Sequence, residues 1–298
     1  MRRILVTGAT GFVGSELRHT LAAAGDEVVR LTRTPAGPSD LVWNPASGSI
    51  DAGALEDFDA VVHLAGENIA GGRWTAARKQ RLVASRVAAT SLLAETLLAT
   101  RRPPRVFVAA SATGCYGNRG DEVLDEQSSP GSGFLAELCR DWEAASEPLR
   151  TRGVRVVQLR IGLVLGAGGG ALPRMLLPFR LGLGGRLGDG HQWWSWIGID
   201  DLVAAIRFVL DHATLEGAIN ATAPRPVTNR EFTACLARVL RRPAILPAPA
   251  CALRLLLGEM ADALLLASAR VLPRRLQAGG FEFLQPDLEA ALRSAIRR

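Results

Sequence analysis

Cysteine is scarce and tyrosine rarer still: four cysteines and one tyrosine in 298 residues. Cys115, Cys139, Cys235 and Cys251 are scattered without a CxxC spacing, so neither a zinc site nor a disulfide framework is expected, no metal is implied, and a reducing cytoplasm fits. A basic block interleaved with aromatics is missing too. The net charge of +6 is spread along the chain in pairs such as Arg101-Arg102 and Arg297-Arg298, and nucleic acid is not an expected partner. Arg2-Arg3 precedes an apolar run too short, and too soon broken by glycine, for a signal peptide. No uninterrupted membrane span stands out. The most apolar stretch, Cys251 to Leu272, contains Arg254, Glu259, Asp262 and Arg270, which predicts an amphipathic helix used for core packing ahead of a peripheral membrane contact.

The N-terminus is the most informative segment. Arg3-Ile4-Leu5-Val6-Thr7 runs into Gly8-Ala9-Thr10-Gly11-Phe12-Val13-Gly14, a strand that breaks into glycines and restarts as a helix. Gly8 permits the tight turn, Gly11 lets backbone approach a pyrophosphate, and Gly14 lets the helix pack on the sheet. The first-turn N–H groups would then face the phosphates. A strand before and an amphipathic run after are the context that gives such a glycine pattern meaning. The next strand, Glu27 to Thr32, ends at Arg33 where a ribose 2′-OH would want a carboxylate. Thr32 and Arg33 suit a 2′-phosphate, so the expected cofactor is NADP(H).

Further along, Ala60 to Ala65 and Arg105 to Ala110 are continuous apolar runs, as befits strands covered on both faces. Thr75 to Thr100 and Phe134 to Thr151 read as helices, and Val154 to Arg160 as another strand. This alternation predicts an α/β fold: a Rossmann-type doubly wound parallel sheet. Residues 1–165 are expected to be mainly the NADP(H)-binding domain. After Gly166 come Gly168-Gly169-Gly170, Leu181-Gly182-Leu183-Gly184-Gly185, a Trp-rich segment, and helices from Asp200, Asn229 and Ala248. Residues 166–298 are therefore expected to be mainly a smaller C-terminal substrate cap, with some elements interleaved into the first domain. Asp200-Asp201 are expected to cap their helix.

The order of these motifs resembles an extended short-chain dehydrogenase/reductase: the TGxxGxxG turn, His63-Leu64-Ala65-Gly66, Ser111-Ala112-Thr113-Gly114-Cys115-Tyr116-Gly117 and Arg160 to Gly166. More narrowly the chain resembles the atypical "epimerase family protein" subgroup, through Gly66-Glu67-Asn68-Ile69, Arg73-Trp74, Ser85-Arg86, Gln192-Trp193-Trp194-Ser195-Trp196-Ile197 and a C-terminal segment with Gly258-Glu259-Met260. The resemblance implies that Gly8, Thr10, Gly11, Phe12, Val13, Gly14, Thr32, Arg33, Leu64, Ala65, Gly66, Arg86 and Val164 hold the cofactor.

A departure accompanies the match. Members of this family carry a Tyr and a Lys four residues apart, for proton exchange and for lowering the Tyr pKa. The corresponding positions here are Phe134 and Leu138. Tyr116 is then the nearest phenol that could serve as the acid, with Ser111 bonding a carbonyl oxygen. Glu67, Asn68, Trp193, Trp194 and Trp196 are expected to line the substrate pocket. Sugar-nucleotide epimerases place an Arg where Trp194 stands, which argues for an apolar or aromatic ligand or a stacked sugar ring. The sequence supports an NADP(H)-dependent oxidoreductase or epimerase-like enzyme acting on a small substrate. Its competitor is a redox sensor or scaffold that binds NADP(H) without turnover. Monomer and homodimer both stay open.

Overall fold

The computed structural model describes residues 1–297. Its first half alternates strands and helices: β1 (Arg3–Thr7), α1 (Phe12–Ala23), β2 (Glu27–Thr32), β3 (Leu41–Asn44), β4 (Ser49–Ile50) and β5 (Ala60–His63). A continuous helix follows from α2 (Ala76–Val83) through a π-helical turn at Ala84–Ala88 into α3 (Ala89–Ala99). Next come β6 (Val106–Ala112), β7 (Val123–Leu124), α4 (Phe134–Ala144), β8 (Arg155–Ile161) and β9 (Leu163–Leu165). The second half holds α5 (Leu172–Arg180), β10 (Trp193–Trp194), β11 (Trp196–Gly198), α6 (Ile199–Asp211), β12 (Gly217–Ala221), β13 (Val227–Thr228), α7 (Asn229–Leu240), α8 (Ala250–Leu257), β14 (Arg270–Val271), α9 (Arg274–Ala278) and α10 (Leu288–Arg297).

Eight strands form one sheet in the order β12-β8-β6-β5-β1-β2-β3-β4. All its pairings are parallel except β3 with β4. The chain winds one way from β1 to β2 and the other way from β5 onward, so the direction reverses beside β1, where open α/β sheets bind ligands. Successive residues of β1 divide the core. Ile4 and Val6 pack with Leu17 of α1 and Leu202 and Ile206 of α6 on one face. Leu5 packs with Phe107, Leu93 and Leu97 of α3 on the other. Burial on both faces is why these strands read as unbroken apolar runs.

Two elements from the later half complete this sheet. β12 pairs with β8 from Gly217↔Val157 to Ala221↔Ile161, and α6 covers the face shared with α1. Another part of the later half forms a separate core around Leu172, Trp196, Phe232 and Leu292, while Leu276 and Phe281 join the core of the sheet. Asp200 and Asp201 depart from the expected capping role, because they lie inside the first turn after the N-cap Gly198. Asp201 instead accepts the amides of Leu284 and Gln285, tying the C-terminal segment to the sheet domain. Cys251 to Leu272 is not one amphipathic helix either. α8 ends at Gly258, where φ is +63°, and none of its residues is buried. Among the described residues the one helix long and apolar enough to cross a membrane is Ala76–Ala99 instead, and its Leu93, Ala94 and Leu97 pack against the sheet.

Candidate functional site

Between β1 and α1 the glycines are under tight steric control. Gly8 has φ +66°, and a Cβ on Gly14 would stand 2.1 Å from the Gly8 carbonyl oxygen. Gly11 is less confined: its added Cβ would meet only that same oxygen, at 3.2 Å. Gly11 is also the N-cap of α1 and makes no side-chain cap bond, and no acidic residue occupies the first turn. The first intrahelical bond is Ser15 N to the Gly11 carbonyl, at 2.9 Å, which leaves the amides of Phe12, Val13 and Gly14 directed out of the helix. The donor set fits a pyrophosphate. Beside it, at the end of β2, Arg33 is exposed and has neither ion pair nor hydrogen bond among the described residues, while Thr32 Oγ1 closes a turn onto the Thr34 carbonyl.

Buried polar groups hold the neighbouring strand end. Thr7 Oγ1 accepts the amides of Leu64 (3.2 Å) and Ala65 (3.1 Å) and lies 2.7 Å from His63 Nδ1. Thr90 Oγ1 donates to the Arg86 carbonyl and accepts from Trp142 Nε1, which leaves its 3.0 Å contact with His63 Nε2 to be filled by an imidazole N–H. His63 is therefore neutral with Nε2 protonated. Full burial pushes its pKa down to about 4.

A cleft of about 1340 Å³ runs from the start of α1 along α4 and under the cap. Of the expected site residues it brings together Phe12, Val13, Gly66, Glu67, Asn68, Arg86, Ser111, Val164, Trp193 and Trp194. Gly8, Thr10, Gly11, Gly14, Thr32, Arg33, Leu64 and Ala65 flank it at the ends of β1, β2 and β5. The α4 wall is made by Phe134, Leu135, Leu138, Cys139 and Trp142, one stripe at helical spacing. Phe134 and Leu138 thus face the cleft as apolar groups. Burial pushes the Cys139 thiol up to about 11, so it stays protonated. Arg86 lies across the wall, its guanidinium over the Trp142 ring at 5.2 Å and donating to the Glu67 carbonyl at 2.9 Å. Burial lowers its pKa, and its hydrogen bonds go to carbonyl and hydroxyl oxygens rather than to a carboxylate. Glu67 is bound by Arg78, and Asn68 Oδ1 accepts the Ala70 amide.

Two expected site residues belong to the core instead. Tyr116 is wholly inaccessible: Arg160 Nη1 donates to its oxygen at 3.0 Å, while its own proton faces Asn220 Oδ1 at 2.8 Å and the Asp125 carbonyl at 2.9 Å. Burial raises its pKa, and it cannot reach a ligand as an acid. Trp196 is also fully buried, donating to the Arg225 carbonyl and packing with Phe232. Trp194 is shared between core and cleft, meeting Phe232 edge-on at 5.2 Å. Trp193 lines the cleft under the Arg270 guanidinium at 4.3 Å, its Nε1 donating to Asp121.

What the motifs did not disclose is Glu143. At the end of α4 its carboxylate receives Ser111 Oγ at 2.6 Å and Arg160 through two bonds of 2.8 Å. Burial opposes charge on Arg160, yet the paired carboxylate outweighs it and the pKa lies above the usual value. The signal in the sequence was an acid four residues after Cys139, one helical turn along the same helix. Among the described residues no group of His, Cys, Asp and Glu is arranged to hold a metal.

A parallel sheet with an open phosphate turn at its reversal point, and a cleft covered by a C-terminal cap, defines a dinucleotide-binding extended short-chain dehydrogenase/reductase fold. The chain belongs to the NAD dependent epimerase/dehydratase family, whose pattern it matches over residues 4–221, and residues 248–295 match a domain of unknown function, DUF1731. It is 44% identical over 296 residues to an "epimerase family protein" of Mycobacterium tuberculosis, covering 99% of this chain and 98% of that one. The human epimerase family protein SDR39U1, solved with NADPH, superimposes with a TM-score of 0.91 at 38% identity and 99% coverage of both chains. UDP-glucose 4-epimerase of Thermotoga maritima shares the fold, with a TM-score of 0.78 at 18% identity over 99% of this chain and 97% of that chain.

Proposed function

We propose that this protein binds NADP(H) and is an oxidoreductase or epimerase-like enzyme acting on a small, largely apolar substrate. One observation carries this most: an open phosphate turn and an unpaired Arg33 stand at one end of a cleft that has Ser111 in its wall. The 38% identical human relative solved with NADPH supports the cofactor. Gly8, Thr10, Gly11, Phe12, Val13 and Gly14 would hold the pyrophosphate; Thr32 and Arg33 the 2′-phosphate; Leu64, Ala65 and Gly66 the adenine ribose; Arg86 and Val164 would lie against the cofactor, Arg86 toward its phosphate or ribose oxygens. The bound cofactor supplies a hydride donor or acceptor. The chain's own task is to exclude water with the α4 stripe and to orient a polar substrate atom at Ser111. Trp193 and Trp194 of the cap supply flat apolar walls, while Glu67 and Asn68 edge the opposite side. With Phe134 and Leu138 apolar and Tyr116 sealed away, the proton comes from the substrate or from water.

Residues 1–165 on this view carry most cofactor contacts and 166–298 most of the cap, with β12 and α6 returned to the sheet. All four cysteines are free, which suits a reducing compartment. A second reading, cofactor binding without turnover, is favoured by Phe134 and Leu138 themselves. The experiment is calorimetric titration with NADPH and NADH, then NADPH oxidation against aldehydes, ketones, quinones and enones. NADPH should bind more tightly by on the order of 1 to 3 kcal/mol, an advantage lost in Arg33→Ala. Equal affinities overturn the NADP(H) assignment; tight binding with no oxidation of any substrate establishes the second reading.

A further inference from the structure

Two segments beside the cleft mouth, 170–188 and 240–258, contain no acidic residue but hold Arg174, Arg180, Arg186, Arg241, Arg242 and Arg254. They lie edge to edge. Leu246 N donates to the Gly184 carbonyl at 3.1 Å, and Ala248 N to the Arg186 carbonyl at 2.8 Å. Along this seam Leu181, Leu183 and Ile245 stand 64%, 57% and 76% exposed, and on α8, which follows the second segment, Leu255 and Leu256 stand 77% and 68% exposed. Among the described residues Arg180, Arg186, Arg241 and Arg242 have no carboxylate partner. Large exposed aliphatic side chains are ordinary when scattered and signal a docking face when grouped.

From this grouping we infer that the 180–186 and 241–246 seam, with α8, docks on the surface of an anionic lipid bilayer. Charge decides between the available occupants. Two copies of the chain meeting across a two-fold axis through the 180–186 and 241–246 seam would set arginine against arginine with no acid inside the seam, Asp262 beside α8 being already paired with Arg254, an arrangement that like-charge repulsion penalises. Lipid phosphates offer negative charge beside apolar depth, which matches leucines flanked by arginines. Cytoplasmic leaflets carry the required charge. The same segments also provide Arg174, Leu187, Arg254 and Leu257 to the cleft wall, so the cleft opens beside the lipid. The docking does not depend on which reaction the cleft performs.

The test is co-sedimentation of the full chain with vesicles of phosphatidylcholine alone or containing roughly a third phosphatidylglycerol, where anionic lipid should strengthen binding by about tenfold or more and high salt should reverse it. Leu183→Asp with Ile245→Asp should abolish sedimentation while NADPH affinity stays unchanged. Arg180→Gln with Arg242→Gln should weaken binding to anionic vesicles only. If the aspartate variant fails to fold, the wild-type salt series and the glutamine variant decide. Failure to sediment with anionic vesicles, binding indifferent to lipid charge, or a solution dimer by ultracentrifugation that the aspartate variant dissociates would each overturn the inference.

Discussion

Ser111 Oγ donates to Glu143 Oε1 across 2.6 Å. Arg160 donates to both oxygens of the same carboxylate, so Glu143 serves as the acceptor for the serine as well. With its proton committed, Ser111 does not donate to a carbonyl oxygen, contrary to the expectation from sequence; it presents lone pairs to the cleft and is suited to a substrate hydroxyl or N–H. Losing one such bond in Ser111→Ala should lower kcat by roughly tenfold to a hundredfold. Glu143→Gln should do more. It leaves Arg160 buried beside a neutral amide, which should cost about 3 to 5 kcal/mol of stability. Urea melts and NADPH titrations of both variants provide the check; a glutamine variant as stable as its parent would show that the ion pair holds nothing.

Tyr116 acts on folding rather than on the reaction. Tyr116→Phe strips a partner from both Arg160 Nη1 and Asn220 Oδ1, so stability should fall by about 1 to 3 kcal/mol. NADPH affinity and turnover per folded molecule should hold steady. A well-folded variant with turnover reduced by roughly a hundredfold or more, the scale of a lost general acid, would restore the phenol to the chemistry.

Gly14 and Gly11 should fail differently. Gly14→Ala forces a Cβ to within 2.1 Å of the Gly8 carbonyl oxygen, so the strand–helix junction must open and the melting temperature should drop. Gly11→Val adds its bulk where only one backbone oxygen is near, so the fold should survive while the pyrophosphate is shut out. Circular dichroism with calorimetry separates the two outcomes, and retained NADPH affinity in folded Gly11→Val rejects the assigned role.

His63 gives stability a dependence on pH. Its folded pKa, about 4, lies below the unfolded value of 6.5, so between these pH values the unfolded chain binds more protons. The contribution is fully present above pH 6.5 and is lost as pH falls toward 4, amounting to about 3 kcal/mol over that window. Urea denaturation from neutral to acid pH should show this slope, flattened in His63→Asn; an unchanged slope would mean another group titrates.

The linear order of residues determined what depends on neighbours along the chain. A strand ending in Gly8, Gly11 and Gly14 is complete within a dozen residues, so the phosphate turn, the alternation and the apolar positions Phe134 and Leu138 were legible without coordinates. Tertiary structure alone decided which polar groups face the cleft. Tyr116 and Ser111 are five residues apart, yet Arg160 on β8 and Asn220 on β12 take the phenol into the core while Glu143 holds the serine at the wall. Trp194 and Trp196 diverge likewise: Trp196 is fully buried with its Nε1 donating to the Arg225 carbonyl, while Trp194 keeps an edge at the cleft. Those partners lie tens of residues away or more. Buried hydrogen-bond partners compete with a ligand for the same polar atom, and that competition is settled only when the sheet and cap have closed around it.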